Sequence, residues 1–419
     1  MAKVYDLQEV EVWDGNVAAG HALRQAQVDV MAAYPITPST PIVQDYGSFV
    51  GNGYVDGEFV LVESEHAAMS GCVGAAAAGG RVATATSSQG LALMVEVLYQ
   101  ASGMRLPIVL NLVNRALASP LNIHGDHSDM YLCRDAGWIQ LCTCNPQEAY
   151  DFNLMAFRIA EDYDVRVPTI VNQDGFLSSH TAQNVRPLSD KDAYDFVGEY
   201  KVKNSMLDFS KPITYGVQAE EDWHYEHKAQ LNAAIMGSMP VIEKVFAEFK
   251  EKTGREYKPV MGYDMEDAEV AIFAIGTTAE SARVAAKALR KERGIKAGVV
   301  TIHVLRPFPY EQVGAILKNT KAVAIMDKSS PAGAMGAMFN EVSASLYHAT
   351  TTNKPILSNY IYGLGERDLT QKDIRRIYEE LVNDAVDGRL THSAQQWICL
   401  RGKDMGFYYN QDKLPEEIK

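Results

Sequence analysis

From Gly15 onward two hydrophobic patterns alternate along the chain. GNVAAGHALRQAQ carries apolar residues at helical spacing, VDVMAAY is a short continuous apolar run, and the proline-flanked turn PITPST follows. The change of period then repeats. Strand-like FVLVES leads into HAAMSGCVGAAAAGG, RVATAT leads through SSQG into LALMVEVLYQASG, and PIVLNLV runs into a long irregular loop. After the loop come the run WIQLCT, a helix opening at Asn145-Pro146, and VRVPTIVNQD. Strands alternating with helices of this length predict an α/β fold built on a doubly wound, mostly parallel sheet with helices on both faces. Ligands of such sheets sit beyond the carboxyl ends of the strands, so the turns that follow the strands are the places to look for chemistry.

The stretch from about Asn184 to Asp264 is richer in charge and tyrosine and reads as a connector, with one helix over LNAAIMGSMPVIEKVFAEFKEKTG. Beyond it AEVAIFAIG, the helix TAESARVAAKALRKERG, AGVVTIHVLRPFP, KAVAIMD and a helix starting near Ala332 rebuild a smaller α/β domain. The expected division is 1–255 for the first domain with its connector and 256–419 for the second. The tail from Asn383 is polar with isolated aromatics, as in an arm that lies on a partner.

Composition narrows the class. The chain has 419 residues, 47% hydrophobic and 22% charged, which excludes disordered, collagen-like and disulfide-scaffold proteins. Its formal net charge of −14, with no basic stripe, argues against nucleic acid and anionic membrane as partners. An acidic surface is also a poor dock for an acidic electron carrier. The start MAKVYDLQEV lacks the apolar core of a signal peptide, and no apolar run is long enough to span a membrane, so the expected location is the cytoplasm. The cysteines Cys72, Cys133, Cys142, Cys144 and Cys399 form no C-x-x-C pair. Cys142 and Cys144, in WIQLCTC, read as two thiols on one side of a buried strand. An iron–sulfur or other metal site needs more ligands at usable spacing, so no metal is expected on this chain.

Four turns carry candidate chemistry. In Tyr34-Pro35-Ile36-Thr37-Pro38-Ser39-Thr40 the prolines stiffen a strand end, and Thr37 is either a positioned hydroxyl or the N-cap of the next helix. In Val62-Glu63-Ser64-Glu65-His66 a carboxylate opens a helix of small residues, either as a capping group or as a chemical one, and strand alternation does not choose between Glu63 and Glu65. Gly71, Gly74, Gly79 and Gly80 in that helix imply a close neighbour, most simply a partner helix. Arg115 heads a long loop, placed either to bind an anion or to pair with Asp126. Thr86-Ser87-Ser88-Gln89-Gly90 suits either an anion cradle or helix capping. His124, Asp126, His127 and Asp129 lack helical metal-site spacing and are read as loop-ordering residues. Ala332-Gly333-Ala334-Met335-Gly336 is no full G-x-G-x-x-G, and there is no G-x-S-x-G elbow, so neither nicotinamide binding nor serine hydrolysis is supported.

YPITPST, the ESEHAAMSG helix, TSSQG, and NRALASPLNIHGDHSD followed by RDAGWIQ resemble, in this order, the α subunit of the pyruvate:ferredoxin oxidoreductases, within the 2-oxoacid:ferredoxin oxidoreductase family. The resemblance continues through LRPFP and GLGERD and covers nearly the whole chain. It implies a thiamine pyrophosphate pyrimidine-binding domain followed by a transketolase C-terminal-like domain. It implies that Glu65 hydrogen-bonds N1′ of the cofactor's aminopyrimidine, that Pro35 lines the cofactor with its backbone, and that Thr37 and Arg115 bind the oxo acid. The diphosphate, Mg²⁺ and a [4Fe-4S] cluster would belong to a β subunit and further clusters to a δ subunit, with a γ subunit completing the complex. The reaction implied is pyruvate with CoA to acetyl-CoA and CO2, reducing ferredoxin through the partner subunits. Siblings act on 2-oxoglutarate, branched oxo acids or oxalate, and a non-catalytic scaffold is a further class, against which the presence of Thr37, Glu65 and Arg115 together argues. One departure is Glu366 in GLGERD, where a second glycine is expected.

Overall fold

The computed structural model of the chain describes residues 2–349 and 354–401. Packing gives two units: the chain up to Met261 with Ile302–Pro309, and Gly262–Thr301 with the chain from Tyr310 onward. The elements begin β1 (Glu11–Trp13), α1 (Gly15–Gln25), β2 (Val30–Ala33), α2 (Thr40–Gly51), β3 (Glu58–Leu61), α3 (Glu65–Ala78), β4 (Val82–Thr86), α4 (Ser88–Gly103) and β5 (Ile108–Asn114). There follow α5 (Ser128–Leu132), β6 (Ile139–Cys142), α6 (Pro146–Glu161), β7 (Thr169–Asp174), β8 (Gln183–Val185), α7 (Asp190–Val197), α8 (Glu221–Met236) and α9 (Met239–Thr253). The remainder runs β9 (Val260–Tyr263), β10 (Val270–Phe273), α10 (Thr277–Arg293), β11 (Ala297–Ile302), β12 (Val304–Arg306), α11 (Tyr310–Leu317), β13 (Ala322–Asp327), α12 (Ala337–Ala349), β14 (Ile356–Ile361), α13 (Gln371–Asp387) and β15 (Gln395–Trp397).

The first unit's sheet has the order β12-β6-β7-β5-β4-β2-β3. All pairs from β6 to β3 are parallel, and β12 closes the other edge antiparallel to β6. This is the doubly wound α/β sheet that the alternating pattern predicts. β4, β5 and β7 are buried at every position, as helices on both faces require. The order turns at β2: the chain goes from β2 to β3 on one side, then crosses back to β4 on the other. The loops after β2 and β4 therefore flank the crevice where ligands of such sheets bind. β3 is the edge strand, which is why Val60 and Leu61 are exposed although the sequence reads as a buried run.

Within the stretch expected as a connector, the single helix is two, α8 and α9, parted at Gly237-Ser238. α9 buries Ile242, Val245, Phe246 and Phe249 in the same hydrophobic cluster as α1 and α6. Of the four glycines in and after α3, Gly71 stands where a Cβ would come within 3.1 Å of the Ala32 Cβ, so its close neighbour is β2 of the same sheet. Gly79 ends the helix at φ 104°, and Gly74 meets open space.

In the second unit the strands β15-β14-β13-β10-β11 lie side by side, all parallel. Asp327, at the end of β13, accepts from Met338 N at 2.8 Å and Asn359 Nδ2 at 2.8 Å, so the start of α12 is held by the chain's own carboxylate. A Cβ on Gly336 would stand 1.9 Å from Asp327 Oδ2, so glycine is required there. α12 begins at Ala337, not near Ala332, which turns at φ 44°. Glu366 occupies φ 65°, so the loop takes the left-handed turn without the expected glycine. The tail from Asn383 is not an arm at its start. Asn383 lies in α13, whose apolar face includes buried Leu381, and Gln395–Trp397 adds to β14; the residues after Arg401 lie outside the described residues. No helix among the described residues is long and apolar enough to cross a membrane.

Arg81, just before β4, ties several elements of the first unit. Its guanidinium donates to Glu161 Oε1 and Oε2 at 2.7 and 2.8 Å, and to the carbonyls of Ala26 and Gly198. Arg81 is buried and the Glu161 side chain is 9% exposed, and desolvation raises the Glu161 carboxyl pKa against the pull of Arg81. Removing one partner of a buried pair costs roughly 3 to 5 kcal/mol because the other charge is stranded. Two carbonyl bonds would remain to Arg81, so Glu161→Ala is expected to lower stability by about 3 kcal/mol, near the low end of that range. Chemical unfolding of the full chain measures it, and an unchanged transition would show the pair to be idle.

Candidate active site

The two acids after β3 are separated by where the strand stops. β3 ends at Leu61, the chain turns, and the Ser64 hydroxyl caps α3 by accepting from Ala67 N at 3.2 Å. Glu63 is left exposed, whereas Glu65, the first residue of α3, is 8% exposed. Among the described residues no donor hydrogen-bonds the Glu65 carboxylate. It lies instead against the first turn of α4, where a Cβ on Gly90 would stand 2.6 Å from Glu65 Oε1 and 2.5 Å from Thr86 Oγ1. The hydroxyls of Thr86 and Ser87 are buried there without partners. Leaving a buried polar atom unmatched costs roughly 1 to 3 kcal/mol, so two hydroxyls in this condition beside a carboxylate without an internal donor mark a place completed from outside the chain.

Across the crevice Arg115 follows β5. Its Nη1 donates to the Thr37 carbonyl at 3.0 Å and its Nε to the Asn122 carbonyl at 2.9 Å. Arg115 and Thr37 are thus brought together, through the backbone of Thr37 and not its hydroxyl. Arg115 is buried, which pulls its pKa below the usual guanidinium value, while Thr37 and Pro35 are exposed. Thr37 is not the helix cap: α2 starts behind Ser39, whose hydroxyl donates to the Ile36 carbonyl. Asp126 does not take Arg115 and accepts from Ser128 N and Oγ.

The residue that sequence reasoning undervalued is Asp129. Wholly buried, it accepts on Oδ2 from Ser88 N and Arg115 N at 2.9 Å each, and on Oδ1 from Asn114 Nδ2 at 3.0 Å and Met130 N at 2.7 Å. It joins the end of β5 to the start of α4, and it fills from inside the anion position that SSQG offers. Burial pushes its carboxyl up to about 7, against the Arg115 and Ser88 amide bonds that favour the charge. The hydroxyl of Ser88, at φ 48°, donates to the Ala116 carbonyl. In the sequence Asp129 was visible only as one acid of a histidine-containing loop. Of the other members of that loop, His124 bonds locally to Asn122, whereas His127 Nε2 reaches Asp174 Oδ1, at the end of β7, at 2.8 Å. The two thiols of WIQLCTC part as well. Cys142 ends β6 with its sulfur 3.8 Å from Met130 Sδ, while Cys144 lies past the strand.

The strand ends thus bring to one edge of the sheet a carboxylate without an internal donor, two unpartnered hydroxyls and a guanidinium tied to the Thr37 turn.

Comparisons with known proteins agree on the family. Residues 21–247 match the profile described as Pyruvate flavodoxin/ferredoxin oxidoreductase, thiamine diP-bdg, and residues 268–374 that of Pyruvate:ferredoxin oxidoreductase core domain II. The Pyruvate synthase subunit PorA of Thermotoga maritima is 45% identical over 387 residues, 92% of this chain and 97% of the relative. That of Pyrococcus furiosus is 41% identical over 392 residues, 93% and 98% of the two chains. The Ketoisovalerate oxidoreductase subunit VorA of Pyrococcus horikoshii is 40% identical over 393 residues, again 93% and 98%. A solved 2-oxoglutarate:ferredoxin oxidoreductase from Magnetococcus marinus, with 2-oxoglutarate, coenzyme A and succinyl-CoA bound, shares the fold at TM-score 0.68 and 23% identity, over 91% of this chain and 67% of that one. A split gene transketolase shares it at TM-score 0.53 and 14% identity, over 89% and 99%.

The position of Asp129 makes a prediction. Four donors face its two oxygens, so Asp129→Asn turns an NH2 group toward N–H donors in a buried place, at a cost of about 2 kcal/mol or more. Hydrogen exchange should show the Ser88 and Arg115 amides losing protection. Protection equal to wild type at both amides would mean that other contacts hold this corner together.

Proposed function

The chain belongs to the pyruvate:ferredoxin oxidoreductase family, and from that premise we propose that it is the α subunit of a complex that converts pyruvate, CoA and oxidised ferredoxin reversibly to acetyl-CoA, CO2 and reduced ferredoxin. The observation that carries the reading is Glu65, a buried carboxylate with no internal hydrogen-bond donor at the carboxyl edge of the sheet.

The residues present fit thiamine pyrophosphate. The acid that the cofactor's N1′ needs is buried and has no internal donor, Gly90 keeps the space beside it open, and the unpartnered Thr86 and Ser87 hydroxyls lie at the adjoining strand end. When bound, the cofactor supplies the nucleophilic carbon and the electron sink for decarboxylation. In this reading Glu65 holds a proton at N1′ and exchanges it there, and Pro35 lines the cofactor with its backbone. Arg115 pairs with the carboxylate of the oxo acid through the N–H groups that its bonds to Thr37 and Asn122 leave over. Those bonds also fix the turn on which the exposed Thr37 hydroxyl meets the same substrate. Residues 1–255 carry the pyrimidine-binding domain and residues 256–419 the transketolase C-terminal-like domain. A β subunit holds the diphosphate, Mg²⁺ and a [4Fe-4S] cluster, and γ and δ subunits complete a cytoplasmic complex in which ferredoxin docks away from this acidic chain. The VorA relative is the observation behind a second reading, a branched 2-oxo acid as substrate.

Glu65→Gln keeps the shape but cannot relay the proton. The assembled complex is expected to bind thiamine pyrophosphate, to exchange deuterium at its C2 about 10² to 10⁴ times more slowly, and to lose turnover in proportion. Glu63→Gln, on an exposed acid, should be much milder. Wild-type exchange in Glu65→Gln would remove the relay, and a larger effect at Glu63 would transfer it there.

Arg115→Ala should lower kcat/KM for pyruvate by about thirtyfold or more in an assembled complex, since losing one partner of a desolvated charged pair costs roughly 2 to 5 kcal/mol. Near-normal kinetics would place the carboxylate site elsewhere. In the same assay the wild-type complex is expected to prefer pyruvate over branched 2-oxo acids and 2-oxoglutarate; the reverse order would reassign the substrate.

A further inference from the structure

Away from the crevice, three donors from separate segments of the first unit meet in its interior. Cys144 follows β6, Glu148 lies in the first turn of α6, and His303 immediately precedes β12; all three are buried. The sulfur, a carboxylate oxygen and a ring nitrogen lie within 4.8 Å of one another.

The histidine ring defines the chemistry of the cluster. His303 Nδ1 lies 3.0 Å from the Lys258 carbonyl, which can only accept, so Nδ1 carries the hydrogen. Nε2 of the neutral ring is then a lone pair, and in a residue 1% exposed it has no hydrogen-bond partner among the described residues. It faces Glu148 Oε2 at 3.7 Å, and that oxygen already accepts from Cys144 N at 2.6 Å. Two acceptors turned toward each other in a buried place call for something between them, either a proton carried by one of the two groups or a metal ion. Phe152 and Tyr257 pack edge-on against the ring, at centroid distances of 5.1 and 5.7 Å, and hold it in this orientation.

We propose that Cys144, Glu148 and His303 bind a divalent transition-metal ion, zinc being the one that suits a thiolate, carboxylate and imidazole set. Zinc–ligand distances of roughly 2.0 to 2.3 Å put tetrahedral donors within about 4 Å of one another, so the observed spacing closes with small side-chain rotations, and water takes the fourth position. On binding, the sulfur–metal bond forms as the Cys144 thiol gives its proton to solvent. The Lys258 carbonyl orients the ring from behind, as carbonyl partners of metal-bound histidines do. The ion would pin the segment before β12 to the start of α6. The sequence expectation of no metal on this chain rested on local cysteine spacing, and the third ligand here comes from far along the chain.

The test uses the full chain, stripped with a chelator and titrated with cobalt(II). The expected result is one cobalt per chain with a sulfur-to-cobalt charge-transfer band, displaced by zinc. Cys144→Ser should lose the band and bind cobalt at least about tenfold more weakly, and Cys142→Ser should keep both. His303→Gln, with circular dichroism to confirm folding, is a second and independent removal of a ligand. No cobalt or zinc taken up by the folded wild-type chain, as a buried imidazolium–glutamate pair would give, overturns the proposal. So does a band that survives in folded Cys144→Ser or His303→Gln.

Discussion

Crossovers between parallel strands have one hand, so when the strand order reverses at β2 the connections to β3 and to β4 leave the sheet on opposite faces and cannot close over the strand ends. A crevice at that edge is the consequence, and the chemistry of the first unit is arranged around it. The turn with Pro35 and Thr37 follows β2, Glu65 follows β3, Thr86 ends β4 with Ser87 to Gly90 after it, and Arg115 follows β5. Residues far apart in sequence become neighbours because parallel strands all end on the same side.

The crevice is kept in shape by interactions that leave two of its hydroxyls unmatched. Asp129 neutralises the start of α4 and holds the first residue after β5, so that helix end needs no ligand. Arg115 is tied through two carbonyls and keeps the Thr37 turn in place. The buried hydroxyls of Thr86 and Ser87, by contrast, find no partner among the described residues. Unmatched buried groups are unfavourable for the chain alone, and they are the parts of a site that gain most when a ligand arrives already carrying the complementary donors and acceptors.

Much of this was legible in the sequence. Periodicity located the alternating elements, and Asn145-Pro146 marked the start of α6, because such signals are local. Non-local features were not legible. Whether Glu63 or Glu65 is buried depends on where β3 stops, and the exposure of Val60 and Leu61 depends on β3 being an edge. The role of Asp129 depends on a loop folding back against α4, and the meeting of Cys144 with His303 depends on β12 returning to the first sheet. The helix starting at Ala337, five residues later than the glycine-rich pattern suggests, reflects the fit of Gly336 against Asp327.

The Glu65 carboxylate is proposed to meet the aminopyrimidine nitrogen of thiamine pyrophosphate. The most direct test is the nitrogen-15 resonance of cofactor labelled at N1′ and bound to the assembled complex. The expected result is a resonance displaced toward that of a hydrogen-bonded, proton-sharing nitrogen in the wild-type complex, and a return toward the neutral position in Glu65→Gln. An N1′ resonance that is the same in both complexes, with cofactor fully bound, would contradict it.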